Sequence, residues 1–283
     1  MQGNGGSNVD CYRITEPDDL GVRVITYPAL SEYDGELCHA FSTRFGGVSD
    51  GYCSSMNLGF NRGDDPANVR ENYRRIFRNL AIPEGSAVFT KQTHTVNVMR
   101  VTASDRGIGI EREIPYDDID GLVTNECNVA LTVFTADCVP VYLYDPKARA
   151  IGLCHAGWRG TVGGIAKETV LLMQKEFSCD PADIVAVIGP SIGPECFEVG
   201  EEVAVVFDEA YGGAATIRKE GCKPHVNLWE ANRLTLLSAG LKAENISVSG
   251  FCTMCRPEIT FSHRATGGKR GSNAAFLMMR PKT

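Results

Sequence analysis

Apolar positions fall into short runs of strand length, punctuated by a few longer stretches in which they recur at helical spacing. Val22–Tyr27, Cys38–Ser42, Ala87–Phe89, Val96–Val101, Leu131–Phe134, Val139–Tyr144, Ala150–Cys154, Asp183–Ile188, Ile246–Phe251, Ile259–Arg264 and Ala275–Met279 are rich in β-branched and aromatic residues and predict strands. Val69, Tyr73, Ile76, Phe77 and Leu80 form one stripe behind Asp65-Pro66, an N-cap followed by a first-turn proline, and predict a helix through Leu80. Val162, Ile165, Ala166, Thr169, Met173 and Phe177 form a second stripe. Val199–Glu209 and Leu228–Leu241 read as further amphipathic helices. A polar excursion over Ser104–Asp118 interrupts this order, and Asp120-Gly121-Leu122-Val123-Thr124 returns the chain to the core.

Strands interleaved with helices, with no internal repeat and no long linker, predict an α/β (α+β) fold: one domain with a mixed β-sheet core flanked by helices. Its expected span is 21–283, behind an N-terminal extension over 1–20 that is partly flexible; Met1–Asn8 is Gly/Asn/Ser-rich and reads as frayed. The composition, 43% hydrophobic and 22% charged in 283 residues, is that of a packed globular chain. A net charge of −7 without basic blocks argues against nucleic acid as a partner. No run approaches the roughly 20 apolar residues of a membrane helix. Eleven cysteines, an odd number with no apolar leader ahead of them, read as thiols of a cytoplasmic protein rather than a disulfide framework.

Candidate chemistry sits where the apolar runs end. Thr135-Ala136-Asp137-Cys138 and Cys154-His155-Ala156-Gly157-Trp158-Arg159-Gly160 place a thiol and an imidazole at neighbouring strand ends, and Lys91-Gln92-Thr93-His94 places a second imidazole at another. The reading puts His155 on a strand-to-helix loop whose backbone N–H groups around Gly157 suit an anion. Two readings of these atoms stay open. His94, Cys138 and His155 with a free fourth position would suit catalytic zinc. Alternatively, Cys138 and His155 would form the thiolate–imidazolium couple of a metal-free hydrolase or deamidase. Arg44, on the glycine-rich loop Thr43–Ser49, is a candidate anion clamp. Cys252-Thr253-Met254-Cys255, lacking a second pair, predicts neither structural zinc nor thiol redox chemistry. His39 and His225 read as structural or exposed, and His263 as a lesser pocket candidate. No G-x-S-x-G, Walker or H-E-x-x-H motif occurs, so serine hydrolase, triphosphatase and zincin chemistry drop out.

Several blocks, taken together, resemble the YfiH/laccase-domain family, once labelled polyphenol oxidase and now understood as purine nucleoside phosphorylases. They are Phe41-Ser42-Thr43-Arg44 with Gly46-Gly47-Val48-Ser49, Asn57-Leu58-Gly59, Gln92-Thr93-His94, Asp120–Thr124, Ala136-Asp137-Cys138, His155–Gly160, Ile188–Ile192 and Phe261-Ser262 before Arg264. The resemblance runs from about Phe41 to near the C-terminus. It implies a YfiH-like fold whose sheet arrangement is similar to that of bacterial toxin deamidases. It also implies a zinc enzyme that cleaves adenosine, inosine, guanosine or methylthioadenosine with phosphate and deaminates adenosine. Family metal ligands fall on His94, Cys138 and His155. Phosphate- or substrate-binding positions fall on Arg44, Asn57, Gln92, Gly157 and Arg264. Asp137 is the candidate proton donor. His263 replaces the usual aromatic of the F-S-x-R block, and the T-G-R turn is opened to Thr266-Gly267-Gly268-Lys269-Arg270. The older laccase label implies copper, but a blue-copper centre uses two histidines and a cysteine, leaving too few of five histidines for an oxygen-reducing cluster.

Overall fold

A computed structural model describes residues 11–282; the predicted fraying of Met1–Asn8 lies outside them. The first half of the chain supplies strands β1 (Arg13–Ile14), β2 (Val24–Thr26), β3 (Leu37–Ser42), β4 (Ala87–Phe89), β5 (Val98–Arg100), β6 (Gly121–Thr124) and β7 (Ala130–Thr135). With them come helices α1 (Pro28–Ser31) and α2 (Pro66–Leu80). The hairpin β8 (Val139–Asp145) and β9 (Ala150–Ala156) follows, then α3 (Trp158–Gly163), α4 (Ile165–Phe177), β10 (Val185–Ile188) and α5 (Glu201–Tyr211). The chain closes with β11 (Thr216–Ile217), β12 (His225–Val226), α6 (Leu228–Ser238), β13 (Ile246–Val248), α7 (His263–Thr266) and β14 (Asn273–Met279).

The single predicted sheet is resolved into two mixed six-stranded sheets, ordered β1-β2-β3-β14-β7-β4 and β13-β10-β8-β9-β6-β5, with β11 and β12 as a small ribbon. Their inner faces meet in one core, where Phe41, Leu131, Leu277 and Met279 of the first sheet pack with Tyr142, Tyr144, Ile151 and Leu153 of the second. The outer face of the first sheet is covered by α2, whose Val69, Tyr73, Ile76 and Phe77 pack on Ala40, Phe276 and Met278. The outer face of the second is covered by α4, α5 and α6, so that Val141, Leu143 and Cys154 meet Val170, Met173, Phe207 and Leu236. Strands covered on both faces have no solvent side to present, which explains why β3, β8, β9 and β14 are buried at every position and largely apolar. Between the sheets, Tyr27 Oη donates to Tyr142 Oη (3.3 Å), and Tyr142 Oη donates to the Ala40 carbonyl (2.9 Å), satisfying hydroxyls buried far from water.

Local signals hold at α2, where the Asp65 side chain accepts from Ala67 N and Pro66 opens the first turn. The second predicted stripe is instead cut in two: Gly164 at φ 84° ends α3 and starts α4, and the left-handed turn is one that glycine adopts without steric cost. Ile259–Arg264 is not a strand. Phe261 is buried but gives its N–H to the Asn273 side chain, and Ser262 caps α7 by accepting from Ala265 N, so a local cap replaces a ladder. His155 lies inside β9, opposite Pro140, rather than on the loop that follows. Arg13 and Ile14 pair with Thr26 and Ile25, which ties that part of the N-terminal stretch to the first sheet. No helix among the described residues is long and apolar enough to cross a membrane.

Phe276 sits fully buried between the first sheet and α2. Truncation, Phe276→Ala, should lower unfolding stability by about 3–5 kcal/mol, read as a shifted urea midpoint with an unchanged slope.

Candidate active site

The chain passes from the first sheet to the second twice close together, once between β4 and β5 and once between β7 and β8. His94 lies on the first crossover and Cys138 on the second, immediately before β8. His155, near the end of β9, faces both. Three residues, the outer two 61 positions apart, therefore meet at one end of the interface between the sheets. Their ligand atoms all lie within 4.8 Å of one another. Cys138 Sγ is 3.9 Å from His94 Nε2, and the two imidazoles stand edge to face with centroids 4.9 Å apart. Gly157, the N-cap of α3, passes directly beneath: a Cβ there would lie 2.5 Å from His94 Cδ2 and 3.3 Å from Cys138 Sγ.

One buried carboxylate organises the group. Asp120, with no exposed surface, accepts His155 Nδ1 at 2.8 Å. The same oxygen accepts the His94 N–H at 3.1 Å, and the other oxygen accepts Thr93 N, Thr95 N and the Thr95 hydroxyl. Burial pushes this carboxyl up, but the His155 bond and the loop N–H groups more than offset that and hold it at about 2. Asp120 thereby fixes the His155 ring with Nε2 turned toward the thiol. It also holds His94 at φ 67°, a backbone conformation uncommon outside glycine.

Charge follows from this geometry. Burial raises the Cys138 thiol, yet the facing His155 and the His94 bond bring it down to about 6. Burial lowers His155, yet Cys138 and Asp120 raise it to about 9. One thiolate and two imidazoles, one of them already aimed by a carboxylate on its far nitrogen, form a borderline-soft donor set that fits a divalent metal with one position left for water or substrate.

The group opens into a cavity of about 750 Å³. Phe60, Phe89 and Phe134 give it an aromatic wall, and Gly109–Ile114 of the polar excursion closes one side. Arg62 and Arg270 stand on the wall, both bonded to Ser272 Oγ at 3.1 Å. Arg270 is 8% exposed and its Nε has no partner among the described residues. Burial and the like charge of Arg62 pull it down to about 10, against the opposing pull of Asp137 and Cys138. Neither guanidinium forms an ion pair among the described residues. Two neighbouring guanidinium groups that share a hydroxyl and have no carboxylate partner among the described residues suit an anion.

Of the other residues expected at the site, Gln92 lines the cavity, with its amide tied to Phe134 N and O and to Thr90. Arg44 is not brought there: its guanidinium donates to the Ser54 and Pro257 carbonyls and lies over the Phe261 ring. Arg264 likewise donates to the Cys196 and Glu198 carbonyls. Asn57 is fully buried and ties Gly59, Asp64 and Ser272 together beneath the cavity wall. Asp137 has both oxygens engaged, by Thr253 Oγ1 and Arg264 N, and does not line the cavity, so it is not placed to give a proton to a departing base. Asp120, Arg62 and Arg270 are the candidate site residues missed by sequence reasoning. Asp120 and Arg270 stood in blocks already singled out, whereas Arg62 follows a glycine turn with no signal of its own.

In Asp120→Asn an amide NH₂ would face N–H donors, so metal affinity should fall about 10–100-fold in a chelator competition while the fold persists by circular dichroism. Metal occupancy should also fall as pH drops below about 9 and then through about 6, because the proton competes with the metal first for His155 and then for Cys138; a pH series of metal retention after gel filtration measures this.

The comparisons with known proteins place the chain in a family. The purine nucleoside phosphorylase YlmD of Geobacillus stearothermophilus is 40% identical over 240 residues, 83% of this chain and 88% of that protein. An adenosine deaminase, RL5, from an unknown prokaryotic organism is 37% identical over 242 residues, 83% and 92% of the two chains. The crystal structure of the Bacillus licheniformis hypothetical protein YfiH superposes with a TM-score of 0.87 at 32% identity, covering 95% of this chain and 99% of that one. A family model described as multi-copper polyphenol oxidoreductase laccase matches residues 38–280, and the chain belongs to that laccase-domain family.

Proposed function

We propose that this chain is a zinc-dependent purine nucleoside phosphorylase that also deaminates adenosine, acting in the cytoplasm on purine nucleosides and phosphate. The observation that carries the reading is a single cavity joining the His94–Cys138–His155 group, the unpaired Arg62–Arg270 couple and an aromatic wall. Relatives named for these two reactions support it. The unbridged thiols at Cys138, Cys196, Cys252 and Cys255 fit a reducing compartment. A multi-copper centre fits poorly, since His39, His225 and His263 join neither metal-competent group among the described residues.

Phosphorolysis forms a bond from a phosphate oxygen to the ribose anomeric carbon and breaks the bond to the purine nitrogen, which leaves with the electron pair. Arg62 and Arg270 would hold the phosphate by charge-assisted bonds, with the unpartnered Nε of Arg270 available to it. An anion held between the two guanidinium groups would offset their mutual repulsion. Phe89 and Phe134, edge to face at 4.9 Å, would receive the purine on an apolar surface that excludes water. Asp120 keeps the His155 ring fixed, and His155 with His94 keeps Cys138 ionised beside them. Zinc bound by His94, Cys138 and His155 would supply a Lewis acid and, for deamination, an activated water.

A second reading rests on the low Cys138 and high His155 values: a thiolate–imidazolium couple of a metal-free hydrolase or deamidase. One experiment separates the two. Adenosine, inosine, guanosine and methylthioadenosine are incubated with and without phosphate, before and after chelation, and free base and ribose 1-phosphate are resolved by chromatography. Base release that needs both phosphate and zinc is the expected result. Neither base nor inosine from any substrate would sink the phosphorylase reading, and hydrolysis surviving chelation would favour the couple. In Arg62→Ala the KM for phosphate should rise about 10–100-fold with the nucleoside KM little changed, as follows from losing one hydrogen bond to a charged group.

A further inference from the structure

A second sulfur cluster lies outside the cavity. Cys196, on the loop after β10, meets Cys252 and Cys255, on the loop after β13, and the three sulfur atoms lie within 4.8 Å of one another. Cys196 Sγ and Cys255 Sγ are 3.3 Å apart. The C-x-x-C pair had no second pair in sequence; the fold brings it a third thiol from a loop 56 residues earlier. The backbone is shaped to the sulfurs. Gly193 N donates to Cys252 Sγ at 3.1 Å, and a Cβ on Gly193 would stand 3.3 Å from the same sulfur. Cys196 N in turn donates to the Gly193 carbonyl. The guanidinium of Arg264 anchors the same loop through the Cys196 and Glu198 carbonyls and brings positive charge beside it.

We propose that Cys196, Cys252 and Cys255 bind a thiophilic d¹⁰ cation, zinc or copper(I), at a structural site separate from the catalytic one. Three thiols in mutual contact compete for hydrogen bonds and repel one another as thiolates. A soft cation resolves both, since each sulfur gives up its proton and becomes a ligand. The balance is one cation taken up and up to three protons released to solvent, with no change of oxidation state. Three protein sulfurs suit trigonal copper(I) as they stand and suit zinc with a water as the fourth ligand.

The position gives the cation a task. Ser191 and Cys252 form a bridge between the two loops, Thr253 donates to Asp137 Oδ1, and Ile192 N donates to the Asp137 carbonyl. Asp137 precedes Cys138 and is held at φ 89°. A cation here would staple the two loops that keep the catalytic thiol at its crossover.

The test uses the whole chain under a phosphine reductant. After chelation and reloading with zinc, metal analysis should find two zinc ions per wild-type chain, one in Cys196→Ser/Cys255→Ser, and one in Cys138→Ser/His155→Ala. Should the first variant fail to fold, alkylation of the wild type decides. Iodoacetamide modification of Cys196, Cys252 and Cys255, followed by peptide mass spectrometry, should slow at least tenfold and at all three residues together when zinc or copper(I) is present. Protection by copper(I) alone would assign the cation and keep the site. Alkylation indifferent to both cations would overturn the proposal, as would two zinc ions retained by a folded Cys196→Ser/Cys255→Ser variant.

Discussion

The buried carboxylate of Asp120 is the interaction on which the candidate site depends. A charge with no exposed surface persists only if its oxygens are satisfied, and here every partner belongs to the site: the ring of His155, the backbone of His94 and the two threonines that flank it. The carboxylate is stabilised by the groups it positions, and they are ordered by it. Such reciprocal dependence fixes a loop residue in a left-handed conformation and a strand residue in one ring orientation at once.

The architecture determines where this can happen. Two sheets stacked face to face bury nearly all of their strands, so polar chemistry is confined to the ends of the stack and to the crossovers between the sheets. The loops between β4 and β5 and between β7 and β8 make that passage side by side, and the β8–β9 register sets His155 against them. The polar excursion, a loop by composition, then roofs the opening and turns a sheet edge into a cavity. The placing of Arg62 and Arg270 on the cavity wall follows the same logic. Guanidinium groups without carboxylate partners among the described residues, in a partly desolvated wall, are costly to hold and leave their charge to the cavity.

Both sulfur-containing groups illustrate how the fold concentrates reactivity. Cys138 is ionised by two imidazoles, whereas Cys196 is pushed up to about 12 by burial and by its sulfur neighbours. The same side chain is acid or inert according to the charge of what surrounds it. Asp137 links the two environments, accepting from the C-x-x-C loop while its neighbour reaches the cavity.

The sequence by itself determined the local elements: strand runs from β-branched and aromatic content, α2 from a cap, a proline and a stripe, and the metal-competent trio from reactive residues at strand ends, later joined by a family resemblance that the comparisons bear out. Those properties are encoded by neighbours in the chain. Tertiary structure decided what depends on residues far apart in sequence. It split one expected sheet into two, cut a helix at Gly164, and made Ile259–Arg264 a turn and a cap. It sent Arg44 and Arg264 to backbone carbonyls, engaged Asp137 away from the cavity, and raised Asp120, Arg62 and Arg270 to the positions that orient and charge the site. The physical reason is that a side chain's type states what it is able to bond, while its partner is chosen by packing: an arginine near a glycine loop satisfies the nearest free carbonyls unless the fold holds them out of reach.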